Sequence, residues 1–182
     1  MDDYKTKADR IAEFMEIMSG GLAVTHCEAL RNYLDNMGFF EAPASTKYHG
    51  NYRGGLFDHS LAVTKNLLFL TERLGLKWER ERSPYLVGML HDICKCDQYV
   101  KQADGSYTYQ NDLPLCGHGD KSVILALQVE MLTMEEIMCI RWHMGAYDDS
   151  KVWNNLGAAI ETYPNVLYTH TADMMASRID GI

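Results

Sequence analysis

Residues 83–95 read SPYLVGMLHDICK. Ser83-Pro84 has the form of a helix start. A serine at the N-cap accepts from an otherwise orphaned amide, and proline suits the first helical position because it has no amide to lose. The helix that follows, through Leu86, Val87, Met89 and Leu90, delivers His91 and Asp92 near its end. Neutral imidazole and carboxylate are the side chains that hold divalent transition metals. Adjacent residues on a helix point about 100° apart, so this pair reaches a common position only beside the helix end, where the two side chains fork into a cleft.

Working outward, four more metal-binding side chains fall in order along the chain. They are His59 in GGLFDHS, His118 in CGHGDKS, His143 in RWHMG and Asp173 in HTADMMAS. None has zinc-finger spacing, so the set implies a site assembled from several helices. Asp173 sits among Ala172, Met174, Met175 and Ala176, where an unpaired carboxylate is costly and a bound cation offsets the cost. Any one of these histidines alone reads more simply as a core or surface residue; the ordered set within these flanks carries the metal reading. His26 lies outside every motif and His170 shares a helical face with Asp173; both are taken as structural.

Most of the remaining chain is predicted helical. Ile11, Phe14, Met15 and Met18 recur at helical spacing from about Lys7 to Ser19, and Gly20-Gly21 ends that run. A second helix covers Leu22 to Met37, a third Leu56 to Leu74, and another about Asp120 to Glu130. Thr133 and Glu136 form a capping box for a helix ending near His143. A last long helix is expected from Tyr163 to Arg178. The segment FFEAPASTKYHGNYRGG before His59 is irregular, and QYVKQADGSYTYQ is a β-hairpin, with Tyr99 and Val100 facing Tyr107 and Tyr109 across Asp104-Gly105. The expected fold is all-α, a compact multi-helix bundle with one small hairpin insertion. It forms a single domain over 1–182, in which 1–47 supply supporting helices and 48–182 the metal-binding core.

The chain has 182 residues, 47% of them hydrophobic, and a net charge of −8. That acidity argues against nucleic acid as a partner. No apolar run reaches the roughly 20 residues of a membrane helix, and MDDYKTKADR at the N-terminus lacks the apolar core of a signal peptide. A cytoplasmic location is therefore expected, with Cys27, Cys94, Cys96, Cys116 and Cys139 as free thiols. Cys94 and Cys96 are read as helix-end packing, and the 11 methionines as adaptable core.

From about Tyr48 to Arg178 the chain resembles the HD-domain superfamily of metal-dependent phosphohydrolases, and HDICK matches the recurrent family string HD-x-x-K. The resemblance implies that His59, His91, Asp92 and Asp173 hold one metal. Two further histidines mark the binuclear variant, so His118 and His143 would hold a second metal, with Asp92 bridging. The ions would be two divalent transition metals: Mn, Fe, Ni, Co or Zn. Two carboxylates among neutral imidazoles carry −2 and two such ions +4, which leaves a net positive site that attracts an anion. The implied activity is hydrolysis of a nucleotide or other small phosphoester by a metal-activated hydroxide, the ions lying about 3.5–4 Å apart.

Asp92 and Lys95 are the candidate catalytic residues. His49, Arg53, Lys95 and Lys121 are the candidates for holding substrate phosphate, and Tyr147 and Asp148 for the opposite wall of the cleft. The same ligand set also serves di-iron oxygenases of this family acting on a polyol or phosphonate. A nuclease-like phosphodiesterase and a non-catalytic nucleotide-binding module are also compatible with the pattern. A homodimer is the default expectation for assembly.

Overall fold

A computed structural model describes residues 5–110, 112–115 and 117–182; Cys116 lies outside them. Among the described residues eight α-helices and one hairpin follow one another: α1 (Lys7–Met18), α2 (Val24–Asn36), α3 (Gly55–Leu74), α4 (Ser83–Leu90), β1 (Tyr99–Lys101), β2 (Tyr107–Tyr109), α5 (Gly119–Ala126), α6 (Met134–Arg141), α7 (Trp153–Thr162) and α8 (Asn165–Met175). The architecture is all-α with a small two-stranded insertion, as expected. Among the described residues no helix is long and apolar enough to cross a membrane.

Most local signals act as their chemistry dictates. Thr133 and Glu136 form the expected reciprocal capping box for α6, and Thr6 and Asp9 form another for α1. Pro84 sits in the first turn of α4. The hairpin pairs Tyr99 with Tyr109, Val100 with Thr108 and Lys101 with Tyr107, with Gly105 at φ 87 in the turn. One continuous core runs from Phe14 to Ala176. Its aromatic centre is Phe14, Phe39, Phe40 and Phe57, packed largely edge to face, which fastens α1 and the turn after α2 onto α3.

Several expectations are corrected. Ser83 does not cap α4: Arg82 is the N-cap, and the buried Ser83 hydroxyl instead donates to Glu136 Oε1 on α6 at 2.8 Å. The last helix does not begin at Tyr163, because Pro164 is its N-cap and α8 starts at Asn165. Nor does it run to Arg178: after Met175 the backbone widens into a π turn over Ala176–Asp180. The helix expected to reach Glu130 stops at Ala126. Helix α7 is an element the sequence pattern does not announce, since only Ala159 of its ten residues is buried and a mostly solvated helix needs no continuous apolar stripe.

Helices α3, α4, α6 and α8 pack together, and two glycines set how closely their surroundings approach. A Cβ on Gly88 would lie 2.6 Å from the Cα of Thr64 on α3, and one on Gly119 would collide with the carbonyl oxygen of Arg141 at the end of α6. In both cases the obstacle is backbone. Gly88→Ala is expected to force α3 and α4 apart and cost about 1–3 kcal/mol of stability, measured by urea denaturation of the metal-free protein. An unchanged midpoint would show that the helices can separate freely.

Candidate metal centre

The ends of helices, rather than their middles, supply most of the candidate ligands. His91 is the C-cap of α4, and Asp92 (φ −114, ψ 15) leaves helical geometry before a 3-10 turn over Ile93–Asp97. The break opens the fork expected between two adjacent side chains. His118 is the N-cap of α5, and His143 lies just past α6. His59 is in the second turn of α3, and Asp173 is two residues from the end of α8.

The structure brings these side chains into one buried cluster. His59 Nε2 is 3.4 Å from His91 Nε2, 3.2 Å from Asp173 Oδ1 and 3.7 Å from Asp92 Oδ2. His91 Nε2 is 3.5 Å from Asp92 Oδ2, and His143 Nε2 is 3.4 Å from Asp92 Oδ1. His59, His91 and His143 are fully buried and Asp92 is 2% exposed. Two groups among the described residues have donors close enough to share an ion: His59, His91 and Asp173, and Asp92, Cys94 and His118.

The other ring nitrogens fix what faces inward. His59 Nδ1 is 2.9 Å from the carbonyl of Ile182, His91 Nδ1 is 2.8 Å from that of Gly88, and His143 Nδ1 is 2.7 Å from that of Ile140. A carbonyl can only accept, so each Nδ1 carries the proton, and in the neutral ring each Nε2 turns a lone pair toward Asp92 and Asp173. Lone pairs therefore face lone pairs, and Asp92 Oδ1 and His143 Nε2 are buried with no hydrogen-bond partner among the described residues. A cation between them satisfies all of these groups at once; without one, protons on the imidazoles must take its place. The donor set thus fits a divalent transition metal.

Lys95 is almost buried, with Nζ 2.6 Å from Asp92 Oδ2. With protons on the imidazoles in place of a cation, burial acts to raise the Asp92 carboxyl, but the charges of Lys95 and His91 hold it well below the carboxylate range. Asp173 behaves alike in that state: burial acts to raise it, but protonated His59, with the charges of His91 and His143, lowers it. Burial opposes the charge on Lys95 as well, yet Asp92 and Tyr99 raise it above its ordinary value. His49 stacks on His59 with ring centroids 4.9 Å apart. Its pKa falls to about 4, through burial first and then the charges of His59 and Lys95.

The other candidates have partners or surroundings of their own. Lys121 is buried and ion-paired with Asp97. Arg53 is exposed, pairs with Glu41, and lines a separate cavity with Tyr99, Lys101 and Tyr107. Tyr147 is exposed, and Asp148 is held by Arg141 at 2.7 Å. His26 pairs with the buried Glu130, a structural contact. His170 is structural in a particular way: its Nδ1 is 2.8 Å from the carbonyl of His143, and its ring lies where a side chain on Gly145 would go. Cys94, read in the sequence as helix-end packing, is buried with its Sγ 3.5 Å from His118 Nδ1. Its place inside HDICK was the available signal.

No protein-family model matches the chain, and no solved structure matches it. Over 75 residues it is 37% identical to dihydroneopterin 2',3'-cyclic phosphate phosphodiesterase of Methanocaldococcus jannaschii. The match covers 38% of this chain and 29% of that relative's length.

The low pKa of His49 has a stability consequence. The neutral imidazole's contribution is complete above the unfolded value of 6.5 and is lost as pH falls through the folded value of about 4. In metal-free protein, His49→Gln is expected to lessen the loss of stability between those two values, as measured by denaturant unfolding at several pH values. Parallel wild-type and variant curves would contradict this.

Proposed function

We propose that this protein is a metal-dependent phosphohydrolase of the HD type, acting on a small phosphoester such as a nucleotide. In this reading residues 1–182 work as one unit around two metal positions. The first would be held by His59, His91, Asp92 and Asp173, and the second by His118 and His143 together with Asp92. The observation that carries the reading is the convergence of three Nε2 lone pairs and two carboxylates, with Asp92 Oδ1 and His143 Nε2 buried and unpartnered among the described residues. The partial similarity to a phosphodiesterase supports phosphoester rather than other chemistry.

Divalent ions at such a site supply Lewis acidity toward a phosphoryl oxygen and lower the pKa of water. The protein's own groups do the rest. Carbonyl contacts lock the three imidazoles in the ligating tautomer. The buried surroundings exclude bulk water, which strengthens every charge interaction inside. Lys95 spends one of its three N–H donors on Asp92. Its remaining donors are available to an anionic substrate oxygen, so it orients Asp92 and neutralises charge gained by the phosphoryl group. His49, unprotonated near neutral pH, covers the His59 side without adding positive charge.

The test is elemental analysis of the purified protein, followed by assay of phosphomonoesters and of cyclic and linear nucleotides with manganese, nickel, cobalt or iron supplied. His91→Ala and Asp92→Ala are expected to abolish both metal binding and turnover; full activity in either refutes the site. Lys95→Met is expected to retain metal while kcat/KM falls about 10²-fold, the scale for losing one oriented donor. Oxygen uptake on a polyol or phosphonate by an iron-loaded, mixed-valent form would replace hydrolysis with oxidation.

A further inference from the structure

The second position differs from the first in its chemistry. Cys94 is 1% exposed, and its Sγ is 3.5 Å from His118 Nδ1. Donors of Asp92, Cys94 and His118 all lie within 4.8 Å of one another. The placement is built in: the Cys94 amide donates to Ser122 Oγ on α5 at 3.3 Å, which ties the turn after Asp92 to the helix whose N-cap is His118. Asp92, which this group shares, also has its buried Oδ1 3.4 Å from His143 Nε2, and neither atom has a hydrogen-bond partner among the described residues. Cys27, by contrast, points its thiol at the carbonyl of Leu22 at 3.8 Å, away from any such group.

We propose that Cys94 Sγ is a ligand of the second metal position, which thereby becomes a mixed sulfur, nitrogen and oxygen site with Asp92, His118 and His143. This rests on the two-metal reading above and goes beyond it. On binding, the S–H bond breaks, an S–metal bond forms and the proton leaves to solvent; no electron is transferred. Thiolate favours zinc, iron or cobalt over hard ions such as magnesium or manganese. The first position, with imidazole and carboxylate only, lacks that bias. The two sites therefore fill with different selectivity, and oxidation of one thiol would disable the second without touching the first.

Cobalt titration of the metal-free protein provides the test. Wild-type protein should bind two cobalt ions and develop a near-ultraviolet sulfur-to-cobalt charge-transfer band. Cys94→Ser should lose the band, keep one tight ion and bind the second at least about tenfold more weakly, while Cys96→Ser keeps the band. Zinc-loaded wild-type protein should show one sulfur scatterer per two zinc ions at about 2.3 Å by X-ray absorption. This last measurement needs no variant and decides the matter if Cys94→Ser does not fold. Two bound cobalt ions with no band, or a band unchanged in Cys94→Ser, overturns the sulfur ligand and leaves the two-metal reading standing. Fewer than two bound cobalt ions overturns both.

Discussion

Asp92 is a carboxylate taken out of water at the end of an apolar helix, and the rest of the structure answers to that cost. Burial alone would drive such a group to its neutral form. Lys95 at 2.6 Å from Oδ2 favours the ionised carboxylate, while Oδ1 faces His143 Nε2 at 3.4 Å. A buried charge supported on one side only is expensive, and a proton or a cation on the open side offsets that cost. The packed helices α3, α4, α6 and α8 bring His59, His91, His143 and Asp173 to that side.

The helices meet there with little slack. A Cβ on Gly88, three residues before His91, would strike Thr64, and one on Gly119, next to His118, would strike the Arg141 backbone. His143 is held from behind by His170, which occupies the space that Gly145 leaves free. Close approach next to each ligand restricts how far the ligand can move, as preorganised metal coordination requires. Contacts from imidazole to carbonyl then fix orientation as well as place, and one of them reaches from α3 to Ile182, 123 positions along the chain.

The legible part of the site is its donor set. Order and flanks point to His59, His91, Asp92, His118, His143 and Asp173, and the fold assembles them chiefly through helix ends. The role of the cations is less legible. Lys121 and Arg53 look alike in the sequence as phosphate-binding candidates, but each has an acidic neighbour, Asp97 and Glu41, that pairs with it first. Cys94 reads as packing because its place in HDICK is the one local signal; the imidazole beside its sulfur, that of His118, comes 24 positions later.

The sequence by itself determined the helical class, the capping box of α6, the proline start of α4, the hairpin and the identity of the converging donors, because each depends on local propensity or residue chemistry. It did not determine where α8 starts and stops, the existence of α7, or which charges are satisfied by partners. Those depend on free energies shared between segments far apart in the chain: a buried face that only packing supplies, or an ion pair that only proximity allows. The tautomer of each imidazole, and with it the inward lone pairs that call for a cation, was decided by tertiary structure alone, because the carbonyl opposite each Nδ1 is chosen by the fold.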